Sequence, residues 1–341
     1  MGAYLLKDEN AVYYECGYSC DNEVFFRINE REAYFLTDSR YAQEARAQVK
    51  GAEVVIAADL IAALRGIIRK EGIKKIKYDP YDLKAADLAS LKKSGAFFAE
   101  APRLSWKKRA IKSEDEISLI RQSAAKNAEC FEKFAKFLQE EGEGESEKRL
   151  HYRAKEILSG FGTTDLSFEP IFAIGENAAK PHATPSNERI LRIGDLVLFD
   201  AGIKFKRYCS DRTRTAQFDE NLRFDYLSRF SKSKIQRAYD LVLKAHDEVI
   251  KRVRVGMRAK DADKIAREVI EKGNMGEFFI HSTGHGVGLD IHEMPFISPR
   301  SDTVLEENMV FTVEPGIYIE GEFGIRVEDI VVLKSDGAEI L

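Results

Sequence analysis

The stretch LVLFDAGIKFKRYCSDRTRTAQF, residues 196–218, decides the fold of the carboxyl-terminal two thirds of the chain. Its apolar and β-branched residues predict strands over 196–202 and 208–218, joined by a tight turn. A turn centred between Phe205 and Lys206 pairs residues whose numbers sum to 411, which places Asp200 opposite Asp211. Directly opposed Cβ atoms lie only about 4.5–5.5 Å apart, and like charges there destabilise a sheet. The pattern therefore indicates a cation between the two carboxylates, or one protonated carboxyl.

The same arrangement recurs in FTVEPGIYIEGEFGIRVEDIVVL, residues 311–333. A turn centred at Gly321 pairs residues whose numbers sum to 642, which places Glu314 opposite Glu328. Two opposed carboxylate pairs on two hairpins form a specific signal, because acidic side chains are depleted in strands. Four oxygen ligands favour hard divalent cations.

Between these hairpins lies a histidine- and glycine-rich segment, FFIHSTGHGVGLDIHEMPF, residues 278–296, with His281, His285 and His292. One imidazole added to four carboxylates suits manganese, iron, cobalt or zinc. The excess of oxygen ligands favours manganese or cobalt over structural zinc, which prefers Cys and His. Two such ions about 3.5–4 Å apart share a bridging hydroxide and stabilise a hydrolytic transition state.

The composition excludes several classes of protein. The chain has 341 residues, with 53 basic and 57 acidic side chains and a formal charge of −4, which excludes a strongly basic nucleic-acid binder. Every stretch long enough to span a bilayer contains charges, so we predict neither a transmembrane helix nor a signal peptide. The four cysteines show no disulfide or zinc spacing, and we expect free thiols and a cytoplasmic protein. Cys209, beside Asp211, has the opposite strand parity and no basic partner, so we do not expect a nucleophile there.

The chain reads as two domains, 1–108 and 109–341. In the first, 23–28 and 33–38 predict a hairpin, 57–72 a helix and 74–79 a strand. In the second, the capping box at Ser113 begins a helix to about Gln139, and further helices are predicted over 147–159, 232–253 and 261–272. The acidic run 140–147 is interpreted as a solvated loop and helix start. His151 and His246 lie on predicted helices and are interpreted as surface or packing residues.

Residues from about Ile111 to Leu341 resemble the pita-bread metallopeptidases, which include methionine aminopeptidase, aminopeptidase P and prolidase. The resemblance rests on Asp-x10-Asp, the GHGVG histidine, Glu-Pro-Gly and the final Arg-x-Glu-Asp. Residues 1–108 resemble, more loosely, the creatinase-type amino-terminal domain of the Xaa-Pro branch. The resemblance implies an α+β fold, in which a curved antiparallel sheet backed by helices follows a smaller α/β domain.

Carried over position by position, the resemblance implies five ligands for two divalent ions. Asp200 would bind one metal, His285 and Glu314 the second, and Asp211 and Glu328 would bridge both. Manganese is the first expectation for the metal, with cobalt, zinc or iron as alternatives.

The resemblance also implies catalytic roles. Glu314 would accept and return the proton of the nucleophilic water, and His292 would donate to the substrate carbonyl oxygen. His182 would contact the leaving side of the substrate, and His281 matches a further active-site histidine of the Xaa-Pro branch. Two groups would orient the ligand carboxylates: Arg326 and Tyr318.

The expected activity is removal of the amino-terminal residue from peptides with proline at the second position. Prolidases of this family place an arginine four residues after the histidine equivalent to His292, where this chain has Phe296, so an Xaa-Pro aminopeptidase is favoured and a prolidase remains the alternative. A non-catalytic, peptide-binding member of the fold is disfavoured because all five ligands are present. Members with this amino-terminal domain commonly form homodimers or homotetramers, and no nucleic-acid or membrane partner is expected.

Overall fold

The computed structural model describes residues 2–341 and divides into two compact units, Met1–Lys108 and Arg109–Leu341. The elements of the first unit are β1 (Tyr4–Leu6), α1 (Glu9–Cys16), β2 (Glu23–Arg27), β3 (Ala33–Thr37), α2 (Ala42–Gln48), β4 (Glu53–Ile56), α3 (Leu60–Lys70), β5 (Lys75–Tyr78), α4 (Ala85–Lys92), β6 (Phe97–Glu100) and α5 (Leu104–Arg109), the last of which ends at the first residue of the second unit.

The first unit is built on one six-stranded mixed sheet with the order β4-β3-β2-β1-β5-β6. The predicted hairpin is confirmed, since Glu23 pairs with Thr37 and Arg27 with Ala33. The predicted helix is α3, which buries one apolar stripe on the sheet. Asp59 caps α3 by accepting a hydrogen bond from the amide of Ala62.

Helices in the second unit are α6 (Glu114–Phe137), α7 (Glu147–Ser159), α8 (Ser233–Arg252) and α9 (Ala259–Lys272). The capping box is confirmed: the side chain of Ser113 accepts from the amide of Glu116, and the Glu116 side chain accepts from the amide of Ser113. A π-helical turn, Leu138–Gly142, extends α6 close to the predicted end. Gly160 ends α7 in the left-handed conformation, with φ of 50°.

All strand pairs of the second unit are antiparallel. Its strands are β7 (Asp165–Leu166), β8 (Ile171–Ile174), β9 (Leu196–Ala201), β10 (Ile203–Phe205), β11 (Tyr208–Cys209), β12 (Arg212–Gln217), β13 (Gly284–Gly286), β14 (Glu293–Ile297), β15 (Val310–Val313), β16 (Gly316–Ile319), β17 (Phe323–Arg326), β18 (Asp329–Lys334) and β19 (Gly337–Ile340). They form sheets in the orders β12-β9-β8, β11-β10-β7, β14-β13-β15-β18-β19 and β16-β17. The helices and antiparallel sheets confirm the predicted α+β class.

The register predicted for the first hairpin is wrong by two. Phe205 pairs with Tyr208, so paired numbers sum to 413 and Asp200 lies opposite Thr213. The turn consists of Lys206 and Arg207, with φ of 48° and 74°. Positive φ at both central residues is the geometry of a type I′ turn, which matches the twist of the strands that it joins.

The shift of two keeps Asp211 on the same face as Asp200, because side chains alternate with a period of two. Asp211 lies at the level of Gly202, where the ladder between β9 and β12 ends. A Cβ atom on Gly202 would lie 1.9 Å from the carbonyl oxygen of Ser210, so the two chains come closest at this glycine. The carboxylates therefore share a face as diagonal neighbours rather than as an opposed pair.

The register predicted for the second hairpin is confirmed on both sides of the carboxylate pair. Val313 pairs with Asp329 and Gly316 with Arg326, and both sums are 642. Glu314 and Glu328 lie between these two ladders, where the chain passes from the five-stranded to the two-stranded sheet.

The described residues include no helix that is both long enough and apolar enough to cross a membrane.

Candidate active site

Three buried side chains come together with the geometry of a metal site. The ligand atoms of Asp211, His285 and Glu328 all lie within 4.8 Å of one another. His285 Nε2 lies 3.6 Å from Asp211 Oδ2 and 3.3 Å from Glu314 Oε1. Four of the five predicted ligands therefore surround one point.

The five predicted ligands lie on or beside strands. Asp200 is near the end of β9, Asp211 precedes β12, and His285 is the central residue of β13. Glu314 follows β15, and Glu328 precedes β18. Backbone ladders hold these positions, as a preorganised site requires.

The carboxylates are crowded in a region of low polarity. Burial raises the pKa of Asp211 well above its usual value, and the charges of Glu328 and Asp200 raise it further. Burial followed by the charge of Glu314 does the same for Glu328, and burial also raises the pKa of Glu314. A divalent cation at this point would remove the mutual repulsion and favour the ionised forms.

His285 has the protonation state of a metal ligand. Burial lowers its pKa to about 4, so the imidazole is neutral near pH 7. Its Nδ1 lies 3.2 Å from the carbonyl oxygen of Gly286, which accepts a hydrogen bond only if Nδ1 carries the proton. The lone pair of Nε2 is thereby directed at Asp211 and Glu314.

Asp200 carries the observation that tests whether a cation fits. Its Oδ2 accepts a hydrogen bond from Arg326 Nη2 at 2.5 Å. Its Oδ1 is buried and has no hydrogen-bond partner within residues 2–341. A buried carboxylate oxygen without a donor is costly unless a cation binds it. The donor set and this unpartnered oxygen fit divalent metal ions.

Arg326 connects two of the candidate ligands. Besides Asp200, it donates from Nε to Thr213 Oγ1 at 3.0 Å, and that hydroxyl donates to Glu328 Oε2 at 2.5 Å. Burial alone would lower the pKa of Arg326, but Tyr318 and Asp200 hold it well above its usual value. The guanidinium is therefore a permanent cation that fixes the orientation of both carboxylates.

Tyr318 and His281 extend this network. Arg326 Nη1 donates to the Tyr318 hydroxyl at 2.7 Å, and the hydroxyl lies 2.9 Å from His281 Nε2. His281 Nδ1 lies 2.7 Å from the carbonyl oxygen of Ser282. Burial raises the pKa of Tyr318 to about 12, so its neutral hydroxyl accepts from Arg326 and donates to His281. Both residues are thus linked to Asp200 through Arg326.

His292 and His182 line the same cavity from two different loops. The His292 ring packs edge-on against His285, with 4.2 Å between ring centroids. Burial lowers the pKa of His292, and nearby His285 lowers it further. Neither His182 nor His292 makes a side-chain hydrogen bond to any residue of the 2–341 range, which leaves both imidazoles available to a substrate.

The cavity has a volume of about 960 Å³ and a largely apolar wall. Of the predicted site residues, all but Tyr318 line it. The apolar lining comprises Phe168, Pro170, Ile171, Pro181, Ala183, Pro185, Ile280, Ile291 and Phe296. A cavity of this size and lining suits a short peptide.

Three residues near the site were not predicted. His151 lines the cavity, and its Nε2 lies 2.9 Å from Glu169 Oε1. Glu147 was interpreted as part of a solvated run, which is wrong: its residue exposure is 0%, and it accepts three hydrogen bonds. The helical spacing of Glu147, Leu150, His151 and Ala154 on one buried face was the available signal.

A second buried ion pair supports Glu328 from below. Arg214 donates to the carbonyl oxygen of Glu328 at 2.6 Å and to Asp329 Oδ1 at 2.7 Å. Tyr226 donates to Asp329 Oδ2, and His246 Nε2 lies 3.0 Å from the same oxygen. His246 is therefore a buried packing residue.

Cys209 has the environment of a structural thiol. It is fully buried, its Sγ lies 3.5 Å from the carbonyl oxygen of Leu289, and burial raises its pKa to about 12. A thiol of this pKa is not a nucleophile near pH 7.

Comparison with known families agrees with this geometry. Residues 118–335 match the model of metallopeptidase family M24, and residues 1–111 match the creatinase/prolidase amino-terminal domain. The chain belongs to metallopeptidase family M24 and has the pita-bread fold of that family, preceded by a creatinase-type domain.

Individual relatives carry names of two kinds. An uncharacterized peptidase of Staphylococcus aureus is 38% identical over 233 residues, which are 68% of this chain and 62% of that protein. An Xaa-Pro dipeptidase from Bacillus anthracis is 33% identical, with a TM-score of 0.90 over 99% of this chain and 92% of that one. An X-Pro aminopeptidase from Thermotoga maritima is 31% identical, with a TM-score of 0.87 over 100% of this chain and 95% of that one.

Proposed function

We propose that this chain is a dinuclear metallopeptidase that hydrolyses the Xaa-Pro bond at the amino terminus of peptides. The observation that carries the proposal is the buried cluster of carboxylates around His285, with one oxygen of Asp200 left without a donor. The cluster opens into a cavity of peptide size that is also lined by two histidines free of hydrogen bonds to the described chain.

The ligand set would hold two divalent ions, and we propose manganese, with cobalt, zinc or iron as alternatives. Asp200 would bind one ion, His285 and Glu314 the other, and Asp211 and Glu328 would bridge. The ions would lower the pKa of a bound water and polarise the scissile carbonyl.

The side chains would move the proton and stabilise the developing charge. Glu314, whose pKa is raised by burial, would accept the proton from the attacking water and deliver it to the leaving nitrogen. His292 would donate a hydrogen bond to the carbonyl oxygen as it gains negative charge. His182 would hold the leaving side of the peptide, and the Arg326–Tyr318–His281 chain would keep Asp200 in place.

We favour an aminopeptidase over a dipeptidase because the cavity offers no free cation for a substrate carboxylate. Among its described lining residues, Arg326 is the only lysine or arginine, and that guanidinium is committed to Asp200, Thr213 and Tyr318. Phe296 lies where the resemblance would place a carboxylate-binding arginine. A dipeptide would bury its terminal carboxylate unpaired, whereas a longer peptide would present an amide there.

A prolidase is the second candidate, and the 33% identical Xaa-Pro dipeptidase supports it. The two candidates differ in one measurement. The manganese-loaded protein should have a kcat/KM for Ala-Pro-Pro at least tenfold above that for Ala-Pro, while the reverse order would make the protein a prolidase. An Asp211→Ala variant, which removes a bridging ligand, is the control for metal-dependent cleavage.

Assembly and location are also proposals. We propose a homodimer or homotetramer in the cytoplasm, and sedimentation equilibrium of the full chain tests the first part.

A further inference from the structure

The two substrate-facing histidines lack the hydrogen-bonded partner that orients a typical catalytic imidazole. Such a residue usually donates one ring nitrogen to a carboxylate or carbonyl group, which fixes its tautomer and direction. His285 and His281 follow this rule through Gly286 and Ser282. His292 and His182 do not, so the backbone segment that carries each ring must define its position.

The segment carrying His292 is anchored by its neighbour Glu293. The Glu293 side chain is 1% exposed, and its Oε1 accepts a hydrogen bond from Lys112 Nζ at 2.6 Å. Arg109 Nη2 lies 3.3 Å from the other oxygen and also contacts Asp290. Two buried cations thus hold the residues on either side of His292.

The fold makes room for this carboxylate. A Cβ atom on Gly288 would lie 2.5 Å from Glu293 Oε1, so only glycine fits there. Glu293 also pairs with Gly286 across a bulge that begins at His285. The anchor therefore holds His292 relative to the metal ligand against which its ring packs.

The segment carrying His182 is anchored by Glu147, the first residue of α7. Glu147 Oε1 accepts from the amide of Ile174 at 2.7 Å, and Oε2 accepts from Asn177 Nδ2 and the amide of Ser186, both at 2.8 Å. These donors lie on both sides of His182, so the carboxylate holds the two ends of its loop together. The helix N-terminus also favours a negative charge at this position.

We propose that Lys112, through Glu293, and Glu147 are positioning residues that each place one substrate-contacting histidine, His292 and His182 respectively. The inference rests on the proposed function, because it assigns these two imidazoles to the substrate. Each anchor acts on one histidine only, because the two networks share no residue.

Double-mutant cycles in the manganese-loaded full chain test this pairing. Lys112→Met and Glu147→Gln should each lower kcat about 10- to 100-fold, with KM changed less than threefold, as expected for groups that orient catalytic ones. In a His292→Ala background Lys112→Met should cost less than threefold, whereas in a His182→Ala background it should keep its full effect. Glu147→Gln should show the opposite pattern.

Equal losses in both histidine backgrounds would overturn the proposal, because a general loss of structure does not distinguish the two rings. Lys112→Arg should recover most of the activity, since it restores a cation beside Glu293. Lys234→Met, which removes an exposed ion pair with Glu322, is the matched control and should leave kcat unchanged.

A structural readout separates this proposal from the proposed function and covers variants that fold poorly. Crystal structures of Lys112→Arg, Lys112→Met and Glu147→Asp would show whether a ring moves by the roughly 1 Å that already impairs catalysis. Displacement of His292 alone in Lys112→Met and of His182 alone in Glu147→Asp supports the assignment even if no Xaa-Pro peptide is cleaved. Unmoved rings in both variants would refute it.

Discussion

Arg326 donates a hydrogen bond to Oδ2 of Asp200, while Oδ1 of the same carboxylate is buried without a donor. One oxygen is therefore held by a permanent cation, and the other is left for a second one. This division orients Asp200 before any metal binds.

Replacing Arg326 should weaken both metal binding and catalysis. Arg326→Lys keeps the charge but cannot contact Asp200, Thr213 and Tyr318 together, so we expect a loss of about 10- to 100-fold in metal affinity. Isothermal titration with Mn²⁺ measures this directly. An unchanged affinity would show that Arg326 does not orient the ligand.

Metal binding should depend on pH in a defined direction. The pKa values of Asp211, Glu314 and Glu328 are raised in the folded apoprotein. Such groups stabilise the fold below their unfolded pKa values, about 4, and this contribution is lost as the pH rises through the folded values. Loading with metal removes the repulsion, so the gain in unfolding free energy on adding Mn²⁺ should grow as the pH rises above about 4. Urea unfolding with and without metal measures it, and a gain independent of pH would contradict the prediction.

Removing Arg214 should destabilise the fold. Asp329 would remain buried with its negative charge only partly compensated, at a cost of about 3–5 kcal/mol. Although burial alone would raise the pKa of Asp329, Arg214 and His246 hold it below its usual value. The stability that this carboxylate contributes is therefore present above its unfolded pKa and is lost as the pH falls. The deficit of Arg214→Met in urea unfolding should accordingly shrink below about pH 4.

Gly284 should be intolerant of substitution for a steric reason. A Cβ atom there would lie 1.9 Å from the carbonyl oxygen of Thr312, so Gly284→Ala should displace β13 and with it His285. We expect lower stability together with weaker Mn²⁺ binding. Gly66→Ala is the matched control: no atom lies within 4 Å of its Cβ position in α3, and the change should stabilise the chain by roughly 0.5–1 kcal/mol. Equal effects of the two substitutions would exclude the steric explanation.

The two hairpins show what sequence can and cannot define. The turn at Gly321 has φ of 73°, and glycine marks that position in the sequence, so the register of its strands was predictable. The other turn places Lys206 and Arg207 at positive φ, where neither residue type gives any signal. Its register was therefore set by tertiary packing, and the predicted pairing of Asp200 with Asp211 was wrong although their shared face was correct.

The anchors of the site were missed for a different reason. Lys112 and Glu293 are separated by 181 residues, and nothing in either local pattern links them. The isolated positions of Glu147 and Glu293 resemble those of ordinary surface acids. Only the fold shows that each is buried with a complete set of donors.

The interruption between the ladders at Glu314 and Glu328 has a consequence for how the protein opens. The amide of Glu314 donates to the carbonyl oxygen of Thr283, and the amide of Glu328 donates to that of Thr213. Each of these residues is thus tied to a strand outside its own hairpin, and the metal ligands lie where separate sheets are joined by single hydrogen bonds. Without bound cations this junction would be the weakest seam of the domain, and amide protons there would exchange with solvent before those inside any sheet.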